Sequence, residues 1–355
     1  MDTLVSEKAL RALMERMFER EGFAPKDARA IADVLMLADL FGIESHGAQR
    51  MMYYHQNIAS GSVNTAAEIE IVRQTPVSAL LDAHFAMGQL AGVRAMNLAI
   101  EKAKQTGVGM VCVRNSSHYG IAGYYTLMAA QEGLCAFSMT NTGPIMMPTF
   151  GREMMLGTNP IAFCMPAQPY PFWFDASTTV VTLGKVEVHA KREKPMPEGW
   201  TIDADGAICT DAGKMNRSIL AGEMGGILPL GGVGETHSGH KGYGLAIMVE
   251  ALTGVLAQGL LSPEMQGAHG DHTSHFFLAF DPGMFGEPEA ICAQMSRYLD
   301  MLRRSERMPG APRIYTPGEK AFESKKRRME HGIPVEEKTL AELRQIAYEL
   351  GVEAI

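Results

Sequence analysis

The residues best suited to chemistry lie in one short segment, Ser45-His46-Gly47-Ala48-Gln49-Arg50, at the end of an apolar helical run. His46 and Arg50 stand four residues apart, and on a helix two such positions share one face. Arginine presents a planar charged fork that matches a carboxylate, and histidine exchanges protons near neutral pH. The spacing therefore predicts one site for both side chains, suited to a small acid whose neighbouring carbon carries an alcohol, a ketone or an imine.

A second histidine lies among small and polar residues in Asn115-Ser116-Ser117-His118-Tyr119-Gly120. The apolar run Met110-Val111-Cys112-Val113 before it predicts a strand that brings the chain to His118. Tyr119, Tyr124 and Tyr125 are candidates to orient a substrate, although packing in the core explains at least two of them. Two histidines in such surroundings favour an enzyme over a binding module.

The composition is that of a globular protein with a large buried core: 355 residues, of which 46% are hydrophobic and 20% charged. The net charge of -8 argues against a nucleic-acid partner, because binding phosphates needs clustered lysine and arginine. The basic run Lys325-Lys326-Arg327-Arg328 lies among glutamates and is interpreted as a solvated helix face.

Cysteine usage and apolar runs bear on the location of the protein. The five cysteines include no CxxC pair, and Cys112, Cys135 and Cys164 lie in apolar runs, as free thiols do in a reducing compartment. The N-terminus leads into an amphipathic helix without a secretory pattern. The apolar helix at about 245–261 is interrupted by Glu250 and by glycines, which predicts a core helix and not a membrane span. We therefore expect a cytoplasmic protein with no membrane partner.

Hydrophobic periodicity predicts three parts along the chain. Residues 1–60 are expected to be helical, with Pro25 at the start of the second helix and a third from about Gln49 to Ile58. The pair His46 and Arg50 is therefore expected on a helix or at its entry. From Ile69, β-rich runs alternate with helices, and the strands are expected at 108–113, 135–139, 161–165, 172–174 and 275–280. After Pro317 the chain is helical again, and the segment 339–342 is interpreted as a capping box for a last helix that Gly351 closes. We expect an α/β (α+β) fold in which residues 1–70 and 312–355 pack together as helical segments around an inserted sheet domain of residues 71–311.

The chain lacks the nucleotide-binding signatures that most dehydrogenases carry. No GxGxxG follows a strand, so a Rossmann domain is rejected. Gly234, Gly239 and Lys241 approach a P-loop, but His240 stands where that motif needs its lysine. Glycine-rich turns remain as places where backbone amides could hold the phosphates of a dinucleotide. They are Gly157-Thr158-Asn159-Pro160, Asp175-Ala176-Ser177-Thr178-Thr179, which could also cap a helix, and Gly239-His240-Lys241-Gly242-Tyr243-Gly244 at the start of the apolar helix.

A further group of histidines invites a metal-site interpretation. His269, His272 and His275 are three residues apart with Asp271 among them, a spacing that suits one helical face. Gly270 and the strand-like run after His275 argue against a helix. We therefore predict no metal site and leave the role of the His269–His275 loop open.

Four of these segments occur in an order and spacing typical of one family. Ser45-His46-Gly47 with Arg50, the segment 115–120, Gly157-Thr158-Asn159-Pro160 and His240-Lys241-Gly242-Tyr243-Gly244-Leu245 together resemble the malate/L-lactate dehydrogenase type 2 family. That family also includes ureidoglycolate dehydrogenase, L-sulfolactate dehydrogenase, 2,3-diketogulonate reductase and piperideine-2-carboxylate reductase. The resemblance runs from the first helix to Pro317-Gly318-Glu319.

The resemblance implies a non-Rossmann oxidoreductase that uses NAD or NADP, with a lean to NAD, and that forms a homodimer with active sites near the subunit interface. It implies hydride transfer between the nicotinamide and a small anionic 2-hydroxy or 2-keto acid. The residue matching His46 is the acid/base in some members, and we predict this role for His46 here, with Ser45 orienting it and Arg50 holding the substrate carboxylate. His118 would line the site beside the nicotinamide, although in some members the matching residue is the acid/base instead.

The resemblance also implies a set of cofactor contacts. They are His118, Thr142, Gly157, Thr158, Asn159, Asp175, Ala176, Ser177, His240, Lys241, Pro317, Gly318 and Glu319. The segments 186–194, 232–238 and 269–275 depart from the family pattern, which leaves substrate specificity open. Two alternatives remain: reduction of a cyclic imino acid, in which Arg50 still holds a carboxylate and the electrophile is a C=N group, and a non-catalytic ligand-binding relative.

Overall fold

The computed structural model describes residues 2–266 and 272–355. The helices in these ranges are α1 (Glu7–Arg20), α2 (Pro25–Phe41), α3 (Met51–Ala59), α4 (Gly88–Thr106), α5 (Gly123–Gln131), α6 (Leu183–Lys191), α7 (Ala212–Leu220), α8 (Gly239–Glu250), α9 (Pro288–Arg304), α10 (Glu319–His331) and α11 (Glu337–Leu350). The strands are β1 (Asp2–Val5), β2 (Glu70–Gln74), β3 (Ser78–Asp82), β4 (Val108–Ser116), β5 (Cys135–Thr140), β6 (Ile161–Met165), β7 (Phe172–Ala176), β8 (Thr201–Ile202), β9 (Gly226–Ile227), β10 (Thr273–Phe280) and β11 (Ile333–Glu336). Short 3-10 turns cover Glu44–His46, Ala48–Arg50, Ser262–Met265 and Pro282–Met284, and a π-helical segment, Ala251–Val255, continues α8.

A seven-stranded mixed sheet forms the centre of the fold, in the order β2-β3-β4-β10-β5-β6-β7. β3 and β4 run parallel, and the other described neighbours run antiparallel. β10 lies between β4 and β5, so that Phe276 pairs with Cys112 on one side and with Met139 on the other. Val111 and Ala136 are buried in a core shared with α4 and α5. The predicted strands are present, and the expected mixed α/β architecture is confirmed.

The two ends of the chain contribute to one apolar core. β1 pairs antiparallel with β11, and Leu13, Leu35, Leu343 and Ile346 are buried in the same cluster. Pro25 begins α2 as predicted, since the first helical position needs no N–H donor. β1 differs from the prediction of helices alone over residues 1–60, because its short, mostly exposed pattern finds a pairing partner only at the opposite end of the chain.

α11 begins earlier than the sequence predicts. Its first residue is Glu337 and the residue at its cap is Glu336, without a side-chain cap. Thr339 therefore lies inside the first turn, and the capping-box prediction is wrong, because β11 leads directly into the helix. Gly351 closes the helix with a φ of 64°, as predicted.

α8 and its π-helical continuation are not the core helix that the sequence predicts. Ala246 and Val249 are buried, but several apolar side chains on the same segment are between 38% and 56% exposed: Leu245, Ile247, Met248, Val255 and Leu256. The prediction was wrong because an apolar helix can bury one side in its own chain and offer the other to a further surface. Among the helices in residues 2–266 and 272–355, none is both long and apolar enough to cross a membrane.

Candidate active site

The segment that carries His46 and Arg50 consists of two 3-10 turns directly before α3, so the pair lies at the entry to a helix, as one of the two predicted placements has it, and not on a helical face. The turns meet at Gly47, whose φ of -97° and ψ of -141° interrupt the helical backbone. A glycine is required there because a Cβ would overlap the carboxyl group of Asp39, which projects from α2. The two functional side chains still meet, since the charge of Arg50 acts on the imidazole of His46.

Ser45 and Arg50 fix the orientation of this turn. Oγ of Ser45 lies 2.9 Å from Nδ1 of His46, and Nε of Arg50 donates to the carbonyl oxygen of Ser45 at 2.7 Å. The guanidinium carbon of Arg50 lies 5.9 Å from the ring centroid of Tyr53. His46 and Arg50 are half-buried, so a small molecule can reach both. The guanidinium is held in place while its terminal nitrogens provide a fork for an anion.

His118 reaches the same site just beyond the end of β4. Its ring centroid lies 5.5 Å from that of His46. The hydroxyl oxygen of Tyr54, on α3, lies 2.6 Å from Nδ1 of His118, and the backbone N–H of Gly120 donates to the same nitrogen at 3.4 Å. Because a backbone N–H can only donate, Nδ1 is an acceptor and the neutral ring carries its hydrogen on Nε2. Tyr54 is a functional residue that the sequence motifs did not indicate, although its four-residue spacing from Arg50 was a signal for it.

Both histidines are kept neutral by their surroundings. Burial and, secondarily, the charge of Arg50 lower the pKa of His46 from 6.5 to about 4. Burial also holds the pKa of His118 well below 6.5, with smaller contributions from His46, Arg50 and His275. At neutral pH both rings are therefore uncharged.

The turn Gly157-Thr158-Asn159 lies against the segment that follows β5. The N–H of Thr158 donates to Oγ1 of Thr142 at 3.0 Å, and a Cβ at Gly157 would overlap Thr142. Nδ2 of Asn159 donates to the buried carboxylate of Glu250 at 2.9 Å, which also accepts from Asn141 at 3.0 Å. Oδ1 of Asn159 is buried without a hydrogen-bond partner among the described residues. Glu250 thus holds two of the predicted cofactor segments from α8.

Asp175, near the end of β7, links this region to the helix that follows His118. Its Oδ2 accepts the N–H of Gly123, the first residue of α5, at 2.7 Å, and burial raises the pKa of Asp175 to about 6. The segment therefore caps α5, and not α6, the next helix along the chain. Ala176 and Ser177 are half-buried, and the next residue, Thr178, donates to the carbonyl oxygen of Thr158 at 3.1 Å. These contacts bring the two predicted turns together.

The start of α8 lies next to the same turns. The N–H of Leu230 donates to the carbonyl oxygen of Thr178 at 2.8 Å, and Gly242 packs so closely on Leu230 that a Cβ would overlap its backbone. His240 and Lys241 are exposed in the first turn of α8, where the N–H groups of a helix favour an anion.

Pro317, Gly318 and Glu319 lie at the start of α10, against β7. Gly318 has a φ of 89°, and a Cβ there would overlap Trp173 in β7. The carboxylate of Glu319 accepts the N–H of Thr316 at 3.0 Å and pairs with Arg303 at 3.3 Å. These partners lower the pKa of Glu319 against the effect of burial. Glu319 therefore holds the loop in place, and the exposed Pro317 lies at its surface.

The histidine group near residue 270 is only partly described. His269 and Asp271 lie outside the described residues, and within those residues no group of three or more His, Cys, Asp or Glu could hold a metal ion. His275 is fully buried, with Nδ1 2.8 Å from Oγ1 of Thr140 and Nε2 2.8 Å from Oγ of Ser116. Its ring stacks on Tyr119, so His275 packs as a core residue.

Comparison with known proteins adds to this geometry. The sequence model of the malate/L-lactate dehydrogenase family matches residues 5–344. The chain belongs to this family. It is 43% identical over 353 residues to a malate dehydrogenase of Pyrococcus horikoshii, covering 99% of this chain and 96% of that one. An L-sulfolactate dehydrogenase of Methanocaldococcus jannaschii is 35% identical over 343 residues, covering 95% and 94%. The crystal structure of malate dehydrogenase from Entamoeba histolytica superposes with a TM-score of 0.96 at 32% identity and covers 99% of both chains.

The family predicted from the four motifs is confirmed, and so is the prediction of an enzyme. Further relatives are named ureidoglycolate dehydrogenase and Δ1-pyrroline-2-carboxylate reductase, so the chain is an oxidoreductase of this family. One segment that departs from the family pattern, 186–194, belongs to α6 and the turn after it. At the start of α6, a Cβ at Gly184 would lie 3.6 Å from Cβ of Ser45. The helix that carries this segment, α6, therefore begins beside the active-site turn.

Proposed function

We propose that this dehydrogenase transfers a hydride between a nicotinamide cofactor and a small 2-hydroxy or 2-keto acid of the malate or lactate type. The observation that carries the proposal is the convergence of His46, His118 and Arg50. The ring centroids of the two uncharged imidazoles lie 5.5 Å apart, beside the guanidinium of Arg50, which is fixed by its hydrogen bond to Ser45. The guanidinium selects a carboxylate, and an imidazole exchanges a proton with the oxygen on the neighbouring carbon.

The described residues fit a dinucleotide, which we propose to be NAD in preference to NADP. The turn at Gly157 has no room for a Cβ, Asn159 carries a buried oxygen with no hydrogen-bond partner in residues 2–266 and 272–355, and α8 offers an exposed N-terminus with Lys241. The residues proposed to hold the cofactor are these together with His118, Thr142, Thr158, Asp175, Ala176, Ser177, His240, Pro317, Gly318 and Glu319. When bound, the cofactor supplies or accepts the hydride.

His46 is the proposed acid/base. In oxidation its neutral ring accepts the hydroxyl proton, and in reduction it returns a proton to the carbonyl oxygen. Ser45 holds Nδ1, which leaves Nε2 to face the substrate. A substrate carboxylate on Arg50 offsets the positive charge that lowers the pKa of His46, so substrate binding favours proton uptake by this ring. His118 is the second candidate for the role, since its Nδ1 is likewise held and its Nε2 carries a hydrogen.

Reduction of a cyclic imino acid is the second candidate function. It uses the same Arg50 and His46, with a C=N group in place of the carbonyl, and one relative is named Δ1-pyrroline-2-carboxylate reductase. A non-catalytic ligand-binding role is the remaining alternative. The complete set of Ser45, His46, Arg50 and His118 at one site argues against it.

We also propose a homodimer, a cytoplasmic location and a non-Rossmann cofactor domain of residues 71–311, with residues 1–70 and 312–355 as the second unit. The exposed apolar side chains of α8 and its continuation, from Leu245 to Leu256, support self-association. The largely antiparallel order of the described sheet supports a non-Rossmann domain, because a doubly wound nucleotide fold has mostly parallel strands. Sedimentation equilibrium tests the dimer, and a monomer at micromolar concentration would contradict it.

The first experiment is a fluorescence titration of the purified protein with NADH and then NADPH, followed by 2-keto acids and a cyclic imine. Binding followed by decay of the reduced-cofactor signal with one acid would support the reaction and identify the cofactor. Decay with the imine alone would favour the second candidate. Absence of binding by either cofactor would refute the proposal.

The assignment of the acid/base is tested with His46→Ala and His118→Ala. We expect His46→Ala to lower turnover strongly with unchanged affinity for the cofactor. Wild-type turnover of His46→Ala across the pH range would refute the assignment to His46, and loss of turnover in His118→Ala alone would transfer the role to His118.

A further inference from the structure

Asp39 contacts the active-site turn from behind and has no role in the mechanism above. It lies near the end of α2 and is only 3% exposed. Its Oδ2 accepts the backbone N–H of Ala48 at 2.8 Å, and its carboxyl group occupies the space where a Cβ at Gly47 would lie. Gly47 and Ala48 lie between His46 and Arg50, so this carboxyl group determines where the second 3-10 turn begins.

Arg328, from α10, contacts the other side of the segment that joins the end of α2 to the active-site turn. It is 8% exposed, its Nη1 donates to the backbone carbonyl oxygen of Asp39 at 2.6 Å, and its Nη2 pairs with the carboxylate of Glu44. The C-terminal part of the chain therefore holds the end of α2 and the first 3-10 turn together. The end of α2 thus has two supports, one within the helix and one from α10.

The charges around Asp39 point to a positional task and not to a simple ion pair. The guanidinium of Arg328 binds the backbone oxygen of Asp39, while the carboxyl group binds a backbone N–H. Burial, together with the charge of Glu44, raises the pKa of Asp39 to about 7, against lowering contributions from the Ala48 N–H and Arg328. Burying a carboxyl group in this way costs free energy of folding. What the carboxyl group provides in return is a fixed position for the Gly47–Ala48 turn.

We propose that Asp39 is a positioning residue, whose carboxyl group, supported by Arg328, fixes the Gly47–Ala48 turn and with it the placement of His46 relative to Arg50. The inference rests on the proposed function, because it assumes that His46 and Arg50 act on the substrate. Small displacements of reacting groups cost large factors in rate, on the order of 100-fold for about 1 Å. Asp39 therefore acts on the reaction through the turn, without touching the substrate.

The test compares Asp39→Ala with Asp39→Asn. The asparagine keeps the size of the side chain and an oxygen acceptor for Ala48, whereas the alanine removes both. We expect Asp39→Ala to lower kcat and raise KM for the acid substrate by about 10-fold or more each, while the Kd for the reduced cofactor changes less than about twofold. Asp39→Asn should restore both parameters to within about threefold of wild type. A merely structural role would not produce this selective loss and rescue.

Asp33→Ala is the matched control on the same helix. Asp33 pairs with Arg11, away from the His46 turn, so its loss should leave kcat and KM unchanged. If Asp39→Ala does not fold, Glu44→Gln provides a milder test, because it removes the exposed partner of Arg328. It should then give a smaller loss of the same kind.

The outcomes separate this inference from the function on which it rests. Wild-type kinetics of Asp39→Ala, failure of Asp39→Asn to restore activity, or an equal loss of cofactor affinity would overturn the positioning role. If Asp39→Ala does not fold, wild-type kinetics of Glu44→Gln would overturn it too. Wild-type turnover of His46→Ala would instead refute the proposed function itself.

Discussion

Replacing Arg50 with glutamine removes the guanidinium charge and keeps most of the length of the side chain. In the structure Nε of Arg50 is fixed on the carbonyl oxygen of Ser45 at 2.7 Å, and the charge lies close enough to lower the pKa of His46. The substitution should therefore have two separate effects, one on substrate binding and one on proton transfer.

The size of the first effect follows from the loss of a charge-assisted hydrogen bond. Such bonds contribute about 1.5–3 kcal/mol, which corresponds to a rise in KM for the 2-keto acid of about 10- to 150-fold. The second effect concerns the imidazole. Burial remains the main cause of its low pKa, but the second cause disappears, so the pKa of His46 should rise from about 4 towards 6.5.

Steady-state kinetics in both directions measures these effects. In oxidation, which needs the neutral ring, the acidic limb of the kcat/KM profile should move to higher pH in Arg50→Gln, while the Kd for the reduced cofactor stays constant. Arg29→Gln is the control, because that side chain is 72% exposed and lies on α2. An unchanged KM for the acid, or an acidic limb that moves to lower pH, would refute the reasoning.

Three further substitutions test the supporting structure. Tyr54→Phe removes the hydroxyl that contacts Nδ1 of His118 at 2.6 Å. We expect turnover to fall by about 2- to 12-fold, which corresponds to the loss of one hydrogen bond of about 0.5–1.5 kcal/mol. An unchanged kcat would show that the contact is dispensable. Gly123→Ala places a Cβ on the indole of Trp173 and should lower the free energy of unfolding by about 1–3 kcal/mol, measured with urea. Burial raises the pKa of Asp175 from 3.8 to about 6, so its contribution to stability is complete below pH 3.8 and is lost as the pH rises through 6. In Asp175→Asn the free energy of unfolding should depend less on pH over this range, which urea midpoints at several pH values would measure.

Local patterns in the sequence were enough to predict most of the sheet and the motifs of the site. The strand 161–165 appears with the predicted bounds, because a short apolar run between turn residues has few alternatives. The pairing of β10 between β4 and β5 was beyond such reasoning, since periodicity carries no information on which distant strands become neighbours.

The candidate site shows the same division between local and distant causes. The sequence indicated His46, Arg50 and His118 as candidates, but it could not give the break at Gly47. That break is caused by Asp39, nine residues from its partner Ala48, and by Arg328 near the other end of the chain. Local spacing predicts the pair on a helix or at its entry, and the tertiary contacts of Asp39 and Arg328 accompany the second of these placements.

The electrostatics of His46 and His118 indicate that the two rings have different roles in proton transfer. Their ring centroids lie 5.5 Å apart, beside a permanent positive charge, so a proton on one ring lowers the pKa of the other. A substrate carboxylate on Arg50 relieves the repulsion that both rings experience, and the lowering contribution from His275 acts on His118 and not on His46. We therefore expect the first proton to go to His46, and His118 to stay neutral with a hydrogen on Nε2 that it can donate to the substrate oxygen. Binding of a 2-keto acid should accordingly take up at most one proton.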